Sequence, residues 1–316
     1  MVFYPLNLPS YRHKMKKTIL LTTLLSYFLY GQTIPKEYPA GELGKTVQLG
    51  EEIINHTDTH PLTKDLVDNK LKCVSCHMAG EDVHPGSTKN IGSFVGIAAR
   101  FPLYKAREGV VETLQDRIDN CFMRSMDGTR PIIDSEASIA MLTYITWLST
   151  GTAIDLNSQT NHASDFANVV KKFTAIQQKA TAKNYQNGKT IYTTQCAACH
   201  GDKGQGVATF PALWGKDAQG KWLSYNTGAG MSKLDKSAVW IQSNMPKGAG
   251  GTLSDQDSAD VALYINAQER ADFDLAKKLS KQQSMGYYNS KVLKEKDSVE
   301  SNFKHLGLDF NMITKE

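Results

Sequence analysis

The sequence has no hydrophobic run that would favour a permanent membrane anchor. Its apolar stretch near the N-terminus, residues 18–30, has 13 residues, too few to span a bilayer easily. Lysines precede this stretch, and that order is typical of a secretory signal. We therefore expect residues 1–31 to be a signal peptide that is removed on export to the periplasm, with no stable membrane insertion. Met15-Lys16-Lys17 is a more usual beginning than Met1, which would make residues 1–14 an upstream extension.

Charge of either sign is not in marked excess. The chain has 36 basic and 32 acidic residues, a formal net charge of +4. Residues 1–31 hold four basic residues and no acidic one, so the exported chain would carry 32 of each. Because proteins that bind nucleic acid carry a basic surface, this balance gives no reason to expect a nucleic-acid partner.

Cysteine is also scarce, with five among 316 residues, but four of the five form two identical patterns. The patterns are Lys72-Cys73-Val74-Ser75-Cys76-His77-Met78 and, 123 positions later, Gln195-Cys196-Ala197-Ala198-Cys199-His200-Gly201. Two cysteines three apart with a histidine directly after the second form the attachment signature of c-type haem. Both thiols bond to the porphyrin, and the histidine reaches the iron.

Each cysteine pair could instead be a disulfide, half of a zinc site or a redox dithiol. A zinc site needs four good ligands, and a dithiol has no use for the trailing histidine. The sequence therefore predicts two covalently bound haem c groups, each with its iron. The residues predicted to hold them are Cys73, Cys76, His77, Cys196, Cys199 and His200. Attachment of c-type haem outside the cytoplasm also agrees with export.

Two haem motifs in a chain of 316 residues predict a mainly α fold, with two tandem cytochrome c-type domains joined by a linker and followed by a C-terminal tail. The first domain is placed at residues 32–155, the linker at 156–185, the second domain at 186–270 and the tail at 271–316. The linker is rich in polar residues and alanine and contains a helix predicted over residues 166–179. The tail is charged and has no haem motif, so we expect it to wrap the body or to fray.

Apolar periodicity predicts helices around the motifs. One helix starts within residues 50–55, and another covers Arg107–Phe122, where apolar residues recur every three or four positions. A further helix follows Asp134-Ser135 and is expected to cross the helix before the first motif. In the second domain, Ser254 with Asp257 predicts a capping box that opens the closing helix.

The fifth cysteine, Cys121, falls on the inward-facing stripe of the helix predicted over Arg107–Phe122. It lies 44 residues after His77, close to the 45 residues that separate Met245 from His200. This spacing makes Cys121 a candidate for the second axial position on the first iron, where a thiolate would lower the reduction potential. The alternative is a small buried thiol that acts as a hydrophobe. The other candidates for this position are Met123, Met126 and His84.

The candidate distal ligand of the second iron is Met245. Pro246 and the glycines that follow suit a fixed loop that could hold a thioether over the metal. Met231 and Lys233 are competing candidates.

Arginine is rare, and its distribution is uneven. Five of the seven arginines fall in the first domain: Arg100, Arg107, Arg117, Arg124 and Arg130. A guanidinium group binds oxyanions through a rigid fork of donors. On the predicted helix, Arg117 lies one turn before Cys121 and Arg107 about four turns before it, so both could flank the thiol. The alternative is a solvated helix, because nearby acidic residues nearly balance the charge.

The segment Asn120-Cys121-Phe122-Met123-Arg124-Ser125-Met126-Asp127-Gly128 carries a family resemblance, together with the first haem motif and Gly92-Ser93-Phe94. It resembles the dihaem thiosulfate dehydrogenases, whose other direction is tetrathionate reduction. The first domain is also similar to the haem domain of the SoxA cytochromes of sulfur oxidation. The match covers most of residues 50–270 and is specific around Cys121.

The resemblance implies roles for particular residues. It places the active site at the first haem, with His/Cys ligation there and His/Met ligation at the second haem. The implied iron ligands are His77, Cys121, His200 and Met245, and the implied pocket for sulfur anions is lined by Arg107, Arg117 and Ser125. The chain departs from the family pattern at Asp127, where Asn is usual. It also has Asn244 where some members have lysine, which makes a redox-driven ligand exchange less expected.

The implied reaction joins two thiosulfate dianions into tetrathionate and releases two electrons, which the second haem would relay to a soluble cytochrome c or similar partner. Cys121 would either leave the iron or carry a sulfur adduct. An electron carrier without substrate chemistry is a different interpretation, and so is a SoxA-like subunit that transfers thiosulfate to a carrier cysteine. A dihaem peroxidase would not explain the motif around Cys121.

Overall fold

A computed structural model describes residues 34–105, 107–130, 133–156, 161–279 and 294–315. The predicted signal peptide lies outside these residues. From Ile34 onward the chain forms one compact unit, and it is mainly helical, as the sequence predicts. In the part of the chain that the structure describes, no helix is both long and apolar enough to cross a membrane.

The first haem motif lies among three helices and one hairpin. These are α1 (Gly41–Asn55), the antiparallel strands β1 (Leu103–Lys105) and β2 (Val110–Glu112), α2 (Leu114–Arg124) and α3 (Glu136–Trp147). Ser135 caps α3, because its side chain accepts a hydrogen bond of 3.3 Å from the amide of Ser138. The predicted start of this helix is therefore confirmed.

Helices α1 and α3 cross at a glycine. A Cβ atom at Gly50 would lie 2.1 Å from the carbonyl oxygen of Ala140 and 2.7 Å from the Cβ of Tyr144, so this close approach requires glycine. Val47 and Ile53 of α1 are fully buried in the same core. The predicted crossing is confirmed, although α1 begins at Gly41, well before the predicted start.

The helix predicted over Arg107–Phe122 is wrong in its first seven residues. Gly109, with φ +70°, sits in the turn of the hairpin, and the β-branched residues after it suit a strand. The helix α2 starts only after Thr113, whose side chain accepts from the amide of Asp116 at 3.1 Å. The Asp116 carboxylate in turn accepts from the Thr113 amide at 3.0 Å, which completes a capping box. Arg107 therefore lies in the hairpin connection, not on a helix.

The second haem motif is surrounded by a second set of helices. They are α4 (Asn161–Gln177), α5 (Ala182–Ile191), a π-helical turn (Tyr192–Cys196), α6 (Ala197–His200), α7 (Leu234–Asn244) and α8 (Asp255–Asn266). A Cβ at Gly188 of α5 would lie 2.0 Å from the carbonyl oxygen of Asp260 on α8, so the glycine-dependent crossing recurs here. Ser254 caps α8 by accepting from the Asp257 amide at 3.0 Å, as predicted.

Helix α4 falls within the region assigned to the linker, and it packs on the second domain. Its Phe173 is fully buried in that core, and the side-chain amide of Gln177 donates to the carbonyl oxygen of Ala259 at 2.7 Å. The predicted helix is present, and it contributes to the second core. The exact domain boundaries stay a prediction.

The described C-terminal residues pack against the rest of the protein. Strand β3 (Phe273–Asp274) pairs with β4 (Lys296–Asp297). The described residues of this region also form the short helices α9 (Leu275–Lys278), α10 (Val299–His305) and α11 (Phe310–Ile313). Phe303 is fully buried against Leu234 and Leu263. Glu295 accepts two hydrogen bonds of 2.8 and 2.9 Å from Arg124 of α2. Residues 294–315 therefore lie against the body of the protein.

The two halves interlock. Tyr225 and Ala229, which follow the second haem motif in sequence, are buried in the first core. Ile91, which follows the first motif, packs against the second core. The residues around the two haem motifs therefore share a boundary inside one body.

Candidate active site

His77, the histidine of the first motif, is partly buried and held by a backbone carbonyl through one ring nitrogen. Its Nδ1 is 2.7 Å from the carbonyl oxygen of Gly92, which can only accept, so Nδ1 carries the proton. Its ring stacks on Phe94 with centroids 4.1 Å apart. Burial is the main cause that lowers the pKa of His77 to about 4, so the imidazole is neutral at pH 7. Nε2 is then the nitrogen with a free lone pair.

The histidine of the second motif repeats this arrangement. Nδ1 of His200 lies 2.8 Å from the carbonyl oxygen of Pro211, and burial lowers its pKa. Met245 follows α7 and, like Cys196, packs half-buried against the second core. Two other candidates for its role are engaged elsewhere: Met231 packs against the first core, and Lys233 pairs with Asp297 at 3.0 Å.

These residues fit haem attachment better than the alternatives. None of the five cysteines forms a disulfide, so neither motif is closed by one. Burial raises the pKa of both Cys73 and Cys76 to about 12, which keeps them protonated. Among the described residues, no three His, Cys, Asp or Glu side chains are grouped so that they could hold a metal ion by themselves.

Cys121 lies beside the first motif. Its electrostatic interaction with Cys73 is one of the causes, after burial, that raise the pKa of Cys73, and the same holds for Cys76. Nη1 of Arg117, one turn earlier on α2, donates a hydrogen bond of 3.1 Å to the Cys121 sulfur. Arg117 also acts on His77, since its positive charge contributes to the lowered pKa of that ring. The structure thus brings His77, Arg117 and Cys121 together, as the sequence predicts.

The other candidates for the first axial position lie in different surroundings. Met123 is fully buried in a small cluster with Phe273, and Met126 is buried in the first core. Nδ1 of His84 lies 3.1 Å from the carboxylate of Glu51, and its ring packs edge-on against Trp147. Of these candidates, Cys121 has the surroundings that best suit the second axial position on the first iron. Iron ligation by its sulfur stays a prediction.

Arg107 reaches this region from the hairpin connection. Its guanidinium binds Glu108 at 2.7 Å, and its Nη1 donates to the carbonyl oxygen of Gly228 at 3.4 Å. About a third of the Arg107 side chain is exposed, at 32%, so it can meet a ligand from solvent. Arg117 and Arg107 therefore come from different elements, and only Arg117 owes its place to helical spacing.

Arg107 and Arg117 form a positive cluster with two lysines that the sequence analysis did not single out. Burial, followed by the charge of Arg117, lowers the pKa of Lys105 on β1. Lys236 lies in the first turn of α7, and burial followed by the charge of Arg107 lowers its pKa. Its side chain still reaches solvent. No short motif marks Lys236, and only the fold brings it to the arginines.

A buried carboxylate, Glu112, lies at the edge of this cluster. Glu112 is fully buried, and the side-chain amide of Asn120 donates to its Oε1. Its Oε2 has no hydrogen-bond partner among the described residues. Burial, followed by the charge of Glu108, raises the pKa of Glu112 to about 7. Burial therefore favours the protonated form of this carboxyl group.

Ser125, Arg124 and Arg130, which the sequence analysis also named, make contacts within the protein. Ser125 lies one turn after Cys121, at the end of α2, and its carbonyl accepts from the Asn69 side chain at 2.8 Å. Arg130 is buried and pairs with Asp116 at 2.7 Å, as Arg124 pairs with Glu295. These two arginines therefore stabilise the fold.

Asp127, which stands where the family pattern usually has Asn, has its negative charge neutralised by neighbouring side chains. Its backbone has φ +51°, a conformation that Asn and Asp adopt more readily than other residues. Its carboxylate accepts from Asn226 at 2.7 Å and pairs with Lys278 at 3.0 Å. The turn is therefore held by partners from the second half of the chain.

Two family models match the chain. The model described as "SoxA/TsdA, cytochrome c domain" matches residues 64–154, and the model described as "Cytochrome c" matches residues 185–269. Each covers one of the two haem motifs. The chain therefore contains two cytochrome c domains.

Curated relatives match most of the chain. The thiosulfate dehydrogenase of Stutzerimonas stutzeri is 35% identical over 252 residues, which cover 78% of this chain and 73% of that protein. The thiosulfate dehydrogenase of Allochromatium vinosum is 34% identical over 238 residues, 73% of this chain and 81% of that protein. Among solved structures, the thiosulfate dehydrogenase (TsdBA) from Marichromatium purpuratum matches with a TM-score of 0.62 and 26% identity. That match covers 85% of this chain and 56% of the solved chain.

Proposed function

Because the chain belongs to the thiosulfate dehydrogenase family, we propose that it interconverts thiosulfate and tetrathionate beside Cys121. In the oxidative direction, the outer sulfurs of two thiosulfate dianions form one S–S bond, and two electrons leave. In the reductive direction, two electrons cleave that bond. No proton is needed in either direction, so the chain has to supply positive charge rather than an acid or a base.

The observation that carries this proposal is the hydrogen bond of 3.1 Å from Arg117 to the Cys121 sulfur. It puts a guanidinium, whose rigid donor fork suits a sulfonate group, directly next to a thiol beside the first haem motif. A structural cysteine in a hydrophobic core would not need such a donor.

The cations around Cys121 address the main physical difficulty of the reaction. Two dianions repel each other strongly as they approach, and fixed positive charges offset that repulsion without reorganising during the reaction. Arg117 would hold the sulfonate oxygens of the first anion, and the partly exposed Arg107 would meet the second anion from solvent. Lys105 and Lys236 would add positive charge at the edge of the pocket, and Ser125 could donate to an anion oxygen.

The cofactors would be held by the residues of the two motifs. The first haem would be attached to Cys73 and Cys76, with His77 and Cys121 on its iron, and the second to Cys196 and Cys199, with His200 and Met245. When bound, each haem supplies a site that holds one electron, which matches the two electrons of the reaction. Export to the periplasm and electron exchange with a soluble cytochrome c or similar partner complete the proposal.

The test is steady-state assay of the purified dihaem protein in both directions. Thiosulfate with ferricyanide measures oxidation, and tetrathionate with a reduced dye measures reduction. Wild type is expected to turn over in both directions, and Cys121→Ala is expected to lose activity in both. Cys121→Met keeps a sulfur near the iron, so its activity in each direction shows whether that direction requires the thiol itself. Full activity of Cys121→Ala would show that the chemistry does not occur beside this residue. No turnover by wild type would favour an electron carrier.

A further inference from the structure

A loop of the first domain is hydrogen-bonded to the end of helix α7 in the second domain. The amide of Ile91 donates to Oγ of Ser243 at 3.1 Å, and the side-chain amide of Asn244 donates to the carbonyl oxygen of Ile91 at 3.0 Å. One turn earlier on α7, Nε1 of Trp240 donates to the carbonyl oxygen of Cys76 at 3.2 Å. We call Ile91, Gly92, Trp240, Ser243 and Asn244 the seam.

The seam ends at a candidate iron ligand on each side. On the first-domain side, the carbonyl of Gly92 accepts the Nδ1 proton of His77 at 2.7 Å. On the second-domain side, Met245 directly follows Asn244. Ile91, Trp240 and Met245 all pack against the second core. The peptide that orients the histidine of the first haem is therefore held by the residues next to the methionine of the second haem.

The seam has little room to adjust. A Cβ at Gly92 would lie 3.0 Å from the carbonyl oxygen of Cys76 and 3.3 Å from Nε1 of Trp240, and the φ of +101° also favours glycine. Asn244 is only 2% exposed, and its amide donates a second bond, of 2.9 Å, to the carbonyl of Trp240. Because both donors of Asn244 are used, a change at this residue must move the Ile91 peptide or leave a buried acceptor without its partner.

A hydrogen bond to Nδ1 of a ligating histidine fixes the orientation of the ring and its strength as a donor to the metal. The position of the Gly92 carbonyl should therefore affect the electronic state of the first haem. We propose that Asn244 is a positioning residue for His77: helix α7 of the second domain sets the ligand geometry of the first haem through Ile91 and Gly92. The ligand sites of the two haems are then mechanically coupled through one peptide segment.

This inference goes beyond the proposed thiosulfate chemistry and is tested without substrate. The first haem is followed by its midpoint potential in spectroelectrochemical titration and by the electron paramagnetic resonance signal of its ferric form. The second haem is followed by the optical band that methionine ligation gives. Failure of the proposed function would leave these readouts unaffected, so the two outcomes can be told apart.

The decisive variant is Asn244→Ala, and its matched control is Gln242→Ala. Gln242 lies on the same end of α7, but its side chain donates to Asp255 and does not touch the seam. We expect Asn244→Ala to shift the potential and the resonance signal of the first haem, although the substitution is in the second domain, and Gln242→Ala to leave both at wild-type values.

An unchanged first haem in Asn244→Ala, or a change confined to the second haem, would overturn the proposal, as would an equal shift in Gln242→Ala. Should Asn244→Ala not fold, Ser243→Ala removes only the acceptor for the Ile91 amide and is expected to shift the first haem in the same way but by less. An unshifted first haem in a folded Ser243→Ala protein would then overturn the proposal.

Discussion

Arg117 donates a hydrogen bond of 3.1 Å to the sulfur of Cys121, one turn further along helix α2. This contact joins the family signature around Cys121 to a permanent positive charge, since an arginine stays protonated at every pH of interest. It also explains why helical spacing was informative here: residues four apart on a helix lie on the same face.

Replacement of Arg117 should therefore impair turnover directly. We expect Arg117→Gln to lower kcat for thiosulfate oxidation by about 10²-fold, the usual effect of removing one donor that stabilises developing negative charge. Arg117→Lys should recover only part, because an ammonium lacks the planar fork. Steady-state assay with ferricyanide measures both. Lys89→Gln, at an exposed residue paired only with Glu81, is the control, and a loss of the same size there would contradict a specific role.

Lys236 should act through its charge. We expect Lys236→Gln to lower kcat/KM for thiosulfate by roughly fivefold, corresponding to about 1 kcal/mol for unit charges a few ångströms apart in water. Added salt should shrink the difference, because the side chain reaches solvent. Assays at two ionic strengths measure this. Lys221→Gln, an exposed lysine that follows the second haem motif, should leave kcat/KM unchanged, and an equal effect of both variants would exclude a local role.

Glu112 should make stability depend on pH. Its pKa is raised from 4.5 to about 7, so between these values the unfolded chain releases a proton that the folded chain retains. Stability is therefore lost as pH rises through this window. Glu112→Gln keeps an acceptor for Asn120 and removes the charge. We expect it to unfold like wild type near pH 4 and to be more stable at pH 8, by on the order of 1–3 kcal/mol.

Urea unfolding of the dihaem protein at both pH values tests the Glu112 prediction. Glu81→Gln, at an exposed site, is the control. A wild type that gains stability over Glu112→Gln as pH rises would reverse the sign and contradict the account.

The helix crossing at Gly50 should tolerate no side chain. A Cβ there would meet the Ala140 carbonyl oxygen at 2.1 Å, and forcing a methyl group into a packed interface usually costs about 1–3 kcal/mol, occasionally more. We expect Gly50→Ala to lower the free energy of unfolding by at least that amount. Gly230→Ala is the matched control, because a Cβ at Gly230 has no neighbour within 4 Å and its backbone is not left-handed. Equal stability of the two variants would contradict the close crossing.

Local signals explain what the sequence could predict. The haem motifs and the caps at Ser135 and Ser254 depend on neighbours within a few residues, and the structure places each as expected. Cys121 could be singled out from its place on an apolar stripe and its offset from His77, and its proximity to Arg117 follows because both lie on one helix.

Arg107 shows where local reasoning failed. Val111 and Leu114 satisfy helical spacing, but Val111 is an exposed strand residue and the helix starts after Thr113. Periodicity could not separate a short strand that runs into a helix from one continuous helix, and the turn at Gly109 was the signal that was missed.

Long-range contacts explain the rest. Lys236 lies 119 positions after Arg117 in sequence, and no pattern within either segment reports their proximity. The same holds for Asn244 and Ile91, whose hydrogen bond crosses 153 positions. Such pairs exist only because the two haem domains interlock.

The most direct test of the central claim is to mix the fully oxidised dihaem protein with thiosulfate under anaerobic conditions. Haem absorbance is followed, and the tetrathionate formed is quantified. The account predicts that thiosulfate alone reduces the haems, with one tetrathionate formed for every two electrons taken up. Haems that stay oxidised in the presence of thiosulfate, while dithionite still reduces them, would contradict it.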